Sequence, residues 1–183
     1  LLSGTSSTQQ SLTYFQVGIS QTRDELDSYY DDLVDMDNEL SNTRVELQRT
    51  LDQSERDLDD MQDELDDIDA DRQRSYSDGM ALVSQARSIE YKMPEGETRD
   101  EFSDLVDEIN SEINEYNRQI LDSLSQAQDT IWTYRSANQQ GRGYVQDMRD
   151  MSGDLSSARS DIRRQQSDLD GYERELVSVS DDL

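Results

Sequence analysis

The chain has 183 residues, enough for a compact domain, but only 32% are hydrophobic, with two Phe, one Trp, one Pro and a mean hydropathy of −1.01. That is too little apolar material for a globular core, yet enough for a coiled coil, where two positions in seven are apolar. A formal charge of −26, from 43 acids against 17 bases, excludes ordinary nucleic-acid binding and contact with an anionic membrane surface, since both need clustered Lys and Arg.

There is no cysteine, hence no disulfide and no thiolate chemistry. No apolar run approaches the roughly 18 residues of a membrane span. The chain begins Leu1-Leu2-Ser3-Gly4 without methionine, which reads as a processed product or a piece of something larger. Residues 1–8 are small and polar after the two leucines and are expected as a frayed end or linker.

A first helical arm is expected over 9–93. Leu12, Ile19, Leu26, Leu33, Leu40, Leu47, Ser54, Met61 and Ile68 recur every seven residues as a nearly unbroken apolar stripe. The companion series is Gln16, Arg23, Tyr30, Asp37, Arg44, Leu51, Leu58, Leu65 and Arg72, polar in its first half. A repeat sustained this long predicts a coiled coil rather than an ordinary surface helix. The same frame runs on through Gly79, Leu82, Ala86, Ile89 and Met93.

The repeat breaks at Met93-Pro94-Glu95-Gly96-Glu97-Thr98. Pro94 removes an N–H and blocks the preceding turn, and Gly96 supplies the positive φ a reversal needs. Thr98 and Glu101 have the spacing of a capping box. A hairpin tip is therefore expected at 94–97, followed by a second arm over 98–183. Its seam reads Phe102, Val106, Ile109, Ile113, Tyr116, Ile120, an extra four-residue step to Leu124, then Ala127, Ile131, Tyr134, Asn138, Tyr144, Met148, Met151 and on to Leu183.

If the arms fold back on each other, facing seam residues have numbers with a constant sum. Ala86 with Val106 and Ile68 with Leu124 give 192, and Leu40 with Met151 gives 191. Arms of about 85 residues at 1.5 Å per residue make a rod on the order of 125 Å. The fold class is thus all-α: a long antiparallel coiled-coil hairpin, with pairing of two hairpins into a four-helix rod as an extension. Gly79, Gly141 and Gly143 are candidate hinges, because glycine inside a helix costs about 1 kcal/mol relative to alanine. A kink near 141–143 is expected; the alternative is a turn there, giving a three-helix bundle.

Asp67-Ile68-Asp69-Ala70-Asp71 has the alternation that starts a calcium loop. The loop's glycine and its bidentate Glu are replaced by Arg72 and Asp78, so a solvated acidic helix face is expected instead. Polar residues in the seam are a better clue. Asp37, Arg44, Ser54 and Asn138 are candidate register and partner selectors, with Asn138 opposite Ser54 as a polar layer; the plainer reading for the arginines is snorkelling out of a thin seam. Tyr14, Phe15, Tyr29 and Trp132 lie beside the seam and point to self-association or to another helical partner. With no His, no Cys and no glycine-rich phosphate loop, nothing supports an enzyme, a cofactor or a metal site.

Lys92 is the sole lysine, and the acids are mostly Asp, a poor helix former. In this the chain resembles proteins of salt-loving archaea or of their viruses, which implies a salt-loaded cytoplasm or a cell or virion surface. At molar salt the screening length falls to about 3 Å, so carboxylate repulsion largely disappears. The architecture is shared with three families. Gly141-Arg142-Gly143-Tyr144 looks like a fragment of the signalling segment of chemoreceptor hairpins, but it lies far from the tip. DNA-repair ATPase arms carry a Cys-Pro-x-Cys hook at the apex, whereas Met93-Pro94-Glu95-Gly96 has neither cysteine. Extracytoplasmic helical sensors and stalks share the placement of both termini at one end. The function expected is a non-enzymatic arm, stalk or spacer, with an extracytoplasmic sensor or surface stalk second and the arm of a DNA-processing ATPase third.

Overall fold

The computed structural model describes the backbone of residues 2–181 and the side chains of residues 8–180. Leu1 at the start of the expected linker, and Leu183 at the end of the expected repeat, lie outside the described residues. The fold is an all-α helical hairpin. Helix α1 spans Leu2–Glu90 and α2 spans Glu97–Asp181, 89 and 85 residues long, and there is no strand among the described residues. α1 is helical from Leu2, through the segment expected as linker. Residues 2–8 contain no proline, and extending an existing helix costs far less than nucleating one.

The connection at 91–96 tightens before it reverses. The N–H groups of Lys92 and Met93 donate to the carbonyls of Ile89 and Glu90 at 2.9 and 3.0 Å, a three-residue pitch that ends α1 ahead of Pro94. Gly96 has φ +148°, a conformation open to glycine and strained for any other residue. Its carbonyl accepts from Arg99 at 3.0 Å and Asp100 at 3.2 Å, so Gly96 caps α2. The expected capping box is corrected accordingly: α2 starts at Glu97, and Thr98 and Glu101 lie inside its first turns. Glu97 and Asp100 in that first turn, and Arg87 in the last turn of α1, complement the helix dipoles.

The helices form two compact units. One comprises 50–141 and contains the turn; the other comprises 1–49 with 142–183. In the first, Leu51, Leu58, Val83, Val106 and Ile131 are buried, Ile131 completely. Leu51 packs on Gly141, Gly79 on Ile113 and Ser54 on Asn138, pairs whose numbers all sum to 192. The antiparallel register is the expected one. In the second unit Val145 is buried and the leucines 26, 33, 40 and 47 are half-buried. Its cross-helix bonds Asp27–Gln166 and Arg23–Asp170 have numbers summing to 193.

The seam departs from the seven-residue reading in one systematic way. Met61, Ile68, Leu82 and Ile89, expected in it, are 45–65% exposed, and the inward positions are Gln62, Asp69, Val83 and Glu90. On α2, Ile109, Tyr116, Tyr134, Tyr144 and Met151 are exposed, and Asn110, Asn117, Arg135, Val145 and Ser152 turn inward. A helix of 3.6 residues per turn drifts about 20° per heptad, so a strict repeat of apolar residues walks off the contact line. On α1 the seam is re-phased by an extra four-residue step at Leu51–Glu55, whereas on α2 the inward residues Asn117, Leu124, Ile131, Asn138, Val145 and Ser152 keep a single seven-residue spacing, so the extra step expected at Ile120–Leu124 changes no phase.

α2 runs unbroken through Gly141-Arg142-Gly143, so the chain does not turn there, and the three-helix alternative is overturned. Gly141 has a packing reason. A Cβ at that position would lie 2.7 Å from Leu51 Cδ2, so the glycine lets a leucine of α1 seat against the α2 backbone. A Cβ at Gly79 would lie 3.2 Å from Ile113 Cδ1, whereas one at Gly143 would meet nothing within 4 Å.

Candidate functional site

The side chains with specific geometry are the polar layers of the seam. In the unit of 50–141, Asn138 Nδ2 donates to Ser54 Oγ at 3.0 Å, and Asn138 is only 8% exposed. This is the layer expected from the sequence, one turn from the Leu51–Gly141 contact. About a turn further, Arg135 donates to Asp59 at 2.8 Å while its Nε is buried without a partner. Gln62 and Gln128 exchange hydrogen bonds at 3.1 and 2.6 Å.

Arg72 is a largely enclosed cation. Its side chain is 11% exposed, its Nε donates to Asp69 at 2.8 Å and its Nη1 to Asn117 at 2.6 Å. It therefore lies in the seam and does not snorkel. Asp69 is held below the usual carboxylate range by Arg72 and by Gln73. Toward the turn, Arg87 joins Glu90, Ser103 and Asp107, and Glu90 is lowered chiefly by Arg87. The tip itself is open: Pro94, Glu95, Gly96 and Thr98 are exposed, Tyr91 is exposed, and Met93 is half-buried.

In the unit of 1–49 with 142–183, Asp37 is the centre. Its two oxygens accept from Ser152 Oγ at 2.5 Å and from Arg159 at 2.8 Å, so one carboxylate of α1 is clamped by residues two turns apart on α2. Both members of the ion pair are mostly covered, Arg159 at 23% and Asp37 at 20% side-chain exposure. The hydrogen bond from Ser152, then the charges of Arg159 and of half-buried Arg44, hold the Asp37 carboxyl below its usual range. Nearer the termini, Arg23 bridges Asp170 and Glu173 at 2.5 and 2.7 Å, and Arg163 bonds the Tyr30 hydroxyl while lying 5.0 Å from its ring centroid.

Asp37, Arg44 and Ser54, singled out in the sequence, are half-buried and Asn138 is buried, whereas the partners of Asp37 were not foreseen. Ser152, Arg159 and Gln166 recur at seven-residue spacing one place after the expected seam positions Met151, Ala158 and Gln165, and Asn110 and Asn117 do the same after Ile109 and Tyr116. That second, polar column was the available signal.

The acidic stretch 67–78 is helical throughout, with Asp69 and Asp71 engaged by Arg72 and Arg74. Among the described residues no cluster of three or more acidic side chains is placed to hold a metal ion, and no helix is long and apolar enough to cross a membrane. What these layers can do is mechanical: a half-buried ion pair such as Asp37–Arg159, or the Asn138–Ser54 layer, is satisfied in one register, and a slip by one turn strands its members. Compared with protein-family models, curated proteins and solved structures, the chain has no match.

Proposed function

We propose that the chain is a non-enzymatic structural and interaction protein of a salt-loving archaeon or its virus, serving as a coiled-coil arm, stalk or spacer. The carrying observation is the set of cross-seam polar layers, above all Asp37 with Ser152 and Arg159. Apolar residues at those positions would hold two helices together more tightly; polar ones fix which turn meets which. Fixed register matters to a protein that must present its two ends in a constant relation. The accessible surface supports a further role in association. It leaves Tyr14, Phe15, Leu82, Tyr116 and Trp132 63–79% exposed, apolar flanks open to helical partners, a second copy or another protein.

The second reading is an extracytoplasmic sensor or surface stalk that passes a helix shift between tip and base. The Gln62–Gln128 exchange favours it, because two amides can re-pair after a small slide. The arm of a DNA-processing ATPase is third, and flanking nucleotide-binding segments in the parent gene would establish it.

Small-angle scattering and circular dichroism across salt test the arm reading. The expected result is a maximum dimension far beyond a globule's, with helical signal rising to a plateau as salt approaches molar and the −26 charge is screened. A compact particle, or helicity unchanged from low to molar salt, contradicts it.

A further inference from the structure

We propose that the unit of 50–141 carries a docking groove for a cationic amphipathic helix of a partner protein. The inference rests on the interaction-protein reading above. It starts from the apolar residues that the seam leaves outside. Met61, Ile68, Leu82 and Ile89 each precede an inward residue of α1, and Ile109 and Tyr116 each precede one of α2. The helices have the same hand and opposite directions, so the position before each seam residue falls on the same side of the pair for both. The displaced residues therefore form one apolar face, while Arg87 and Asp107 meet on the opposite side.

The α1 column has a gap in it. Ser75 takes the place where its sevenfold neighbours have Ile68 and Leu82, and Gly79 draws Ile113 close on the next turn. A cavity of about 870 Å³ opens there, floored by Ile68, Ile113, Tyr116 and Ile120 and bordered by Asp71 and Glu112. It has the form of a slot for large apolar side chains. The apolar column from 61 to 89 runs about 42 Å at 1.5 Å per residue, so a partner helix of about 28 residues covers it.

Charge chooses the occupant. Glu64, Asp71 and Asp78 form a column beside the apolar one on α1, and Glu108 and Glu112 stand outside it on α2, all exposed. Only Asp71 of these is in an ion pair among the described residues, with Arg74 at 3.1 Å and both ends more than 70% exposed, an exchangeable surface contact. A second copy offers the same carboxylates and sets rim against rim. A helix with a leucine-type face at i, i+3, i+4 and i+7 flanked by Lys and Arg fills the slot and pairs the rim. Contact pairs at 3–4 Å also survive the short screening length of strong salt better than longer-range attraction does.

The test uses the full chain at the lowest salt where its helical signal is complete, and a fluorescent synthetic 28-residue helix with leucines on one face and lysines and arginines on the other. Controls are a probe of the same composition in scrambled order and a probe with glutamates for the bases. The expected result is saturable binding of the cationic amphipathic probe. It should fall about tenfold in the Ile68→Ser, Tyr116→Ser double variant, and stay within about twofold in Leu121→Ser on the other face. Circular dichroism on each variant confirms that the helices are intact. Equal binding of the scrambled probe, or equal loss in Leu121→Ser, reduces the effect to polyelectrolyte attraction and overturns the proposal. So does a homodimer that the double variant dissolves and the probe cannot displace, since the occupant is then a second copy. None of these results touches the arm reading, which stands or falls on scattering.

Discussion

At the residue scale, Asp37 is the most informative side chain. Its carboxyl is held below the ordinary range by Ser152, Arg159 and Arg44, so its ionised form is favoured by folding. A group with a depressed folded pKa contributes stability that is fully present above the ordinary carboxylate value of about 4 and is lost as pH falls through the lower folded value. Asp37→Asn removes that contribution and leaves Arg159 without its counter-ion. The expected outcome is a variant that melts below the parent at pH 7, with the gap closing as pH is lowered from about 4. Acid also relieves repulsion among the other carboxylates in both proteins, so the difference between them, rather than either melting curve, is the quantity to follow. A gap that persists unchanged at low pH contradicts the assignment. Asp37 was legible in the sequence because it puts a charge at a position of the seven-residue frame where an apolar residue holds the helices more tightly. Ser152 and Arg159 were not, because the apolar Met151 one place earlier drew the frame to itself.

At the element scale, both helices and their turn followed from Pro94, Gly96 and the long repeat, while the phase of the repeat beyond Met61 did not. Periodicity reports that a face exists, but a drift of about 20° per heptad decides which residues remain on it. Re-phasing shows up as half-buried polar residues, which an apolar search passes over. The paired glycines of Gly141-Arg142-Gly143 are the second lesson. Gly141 and Gly143 look alike in sequence and differ in surroundings. Gly141→Ala gains up to about 1 kcal/mol of helix propensity but forces a methyl into Leu51, and overpacking of a seated side chain costs about 1–3 kcal/mol. Gly143→Ala meets open space and should stabilise by up to about 1 kcal/mol. Urea denaturation of both variants checks this, and a destabilised Gly143→Ala alongside a stabilised Gly141→Ala reverses the account.

At the scale of the whole molecule, two opposed features have to be reconciled: a thin apolar seam and a charge of −26. With few side chains fully buried, apolar packing alone discriminates weakly between registers one turn apart. On the proposed reading, the cross-helix bonds Asp37–Arg159, Ser54–Asn138 and Arg72–Asn117 supply that discrimination at separate points along the pairing. Under the proposed function, the surface charge is expected to leave the seam least stable at low salt and the flanks open to oppositely charged helices. Register fixed by polar layers is the central claim, and the chain suits a direct test because it contains no cysteine. Cysteines placed at Ser54 and Asn138, treated with a short bifunctional maleimide at molar salt, should join within one chain in high yield. Cysteines at Met61 and Asn138, one heptad out within the same unit, should not. Cross-linking at both spacings alike, or only between chains, contradicts the register.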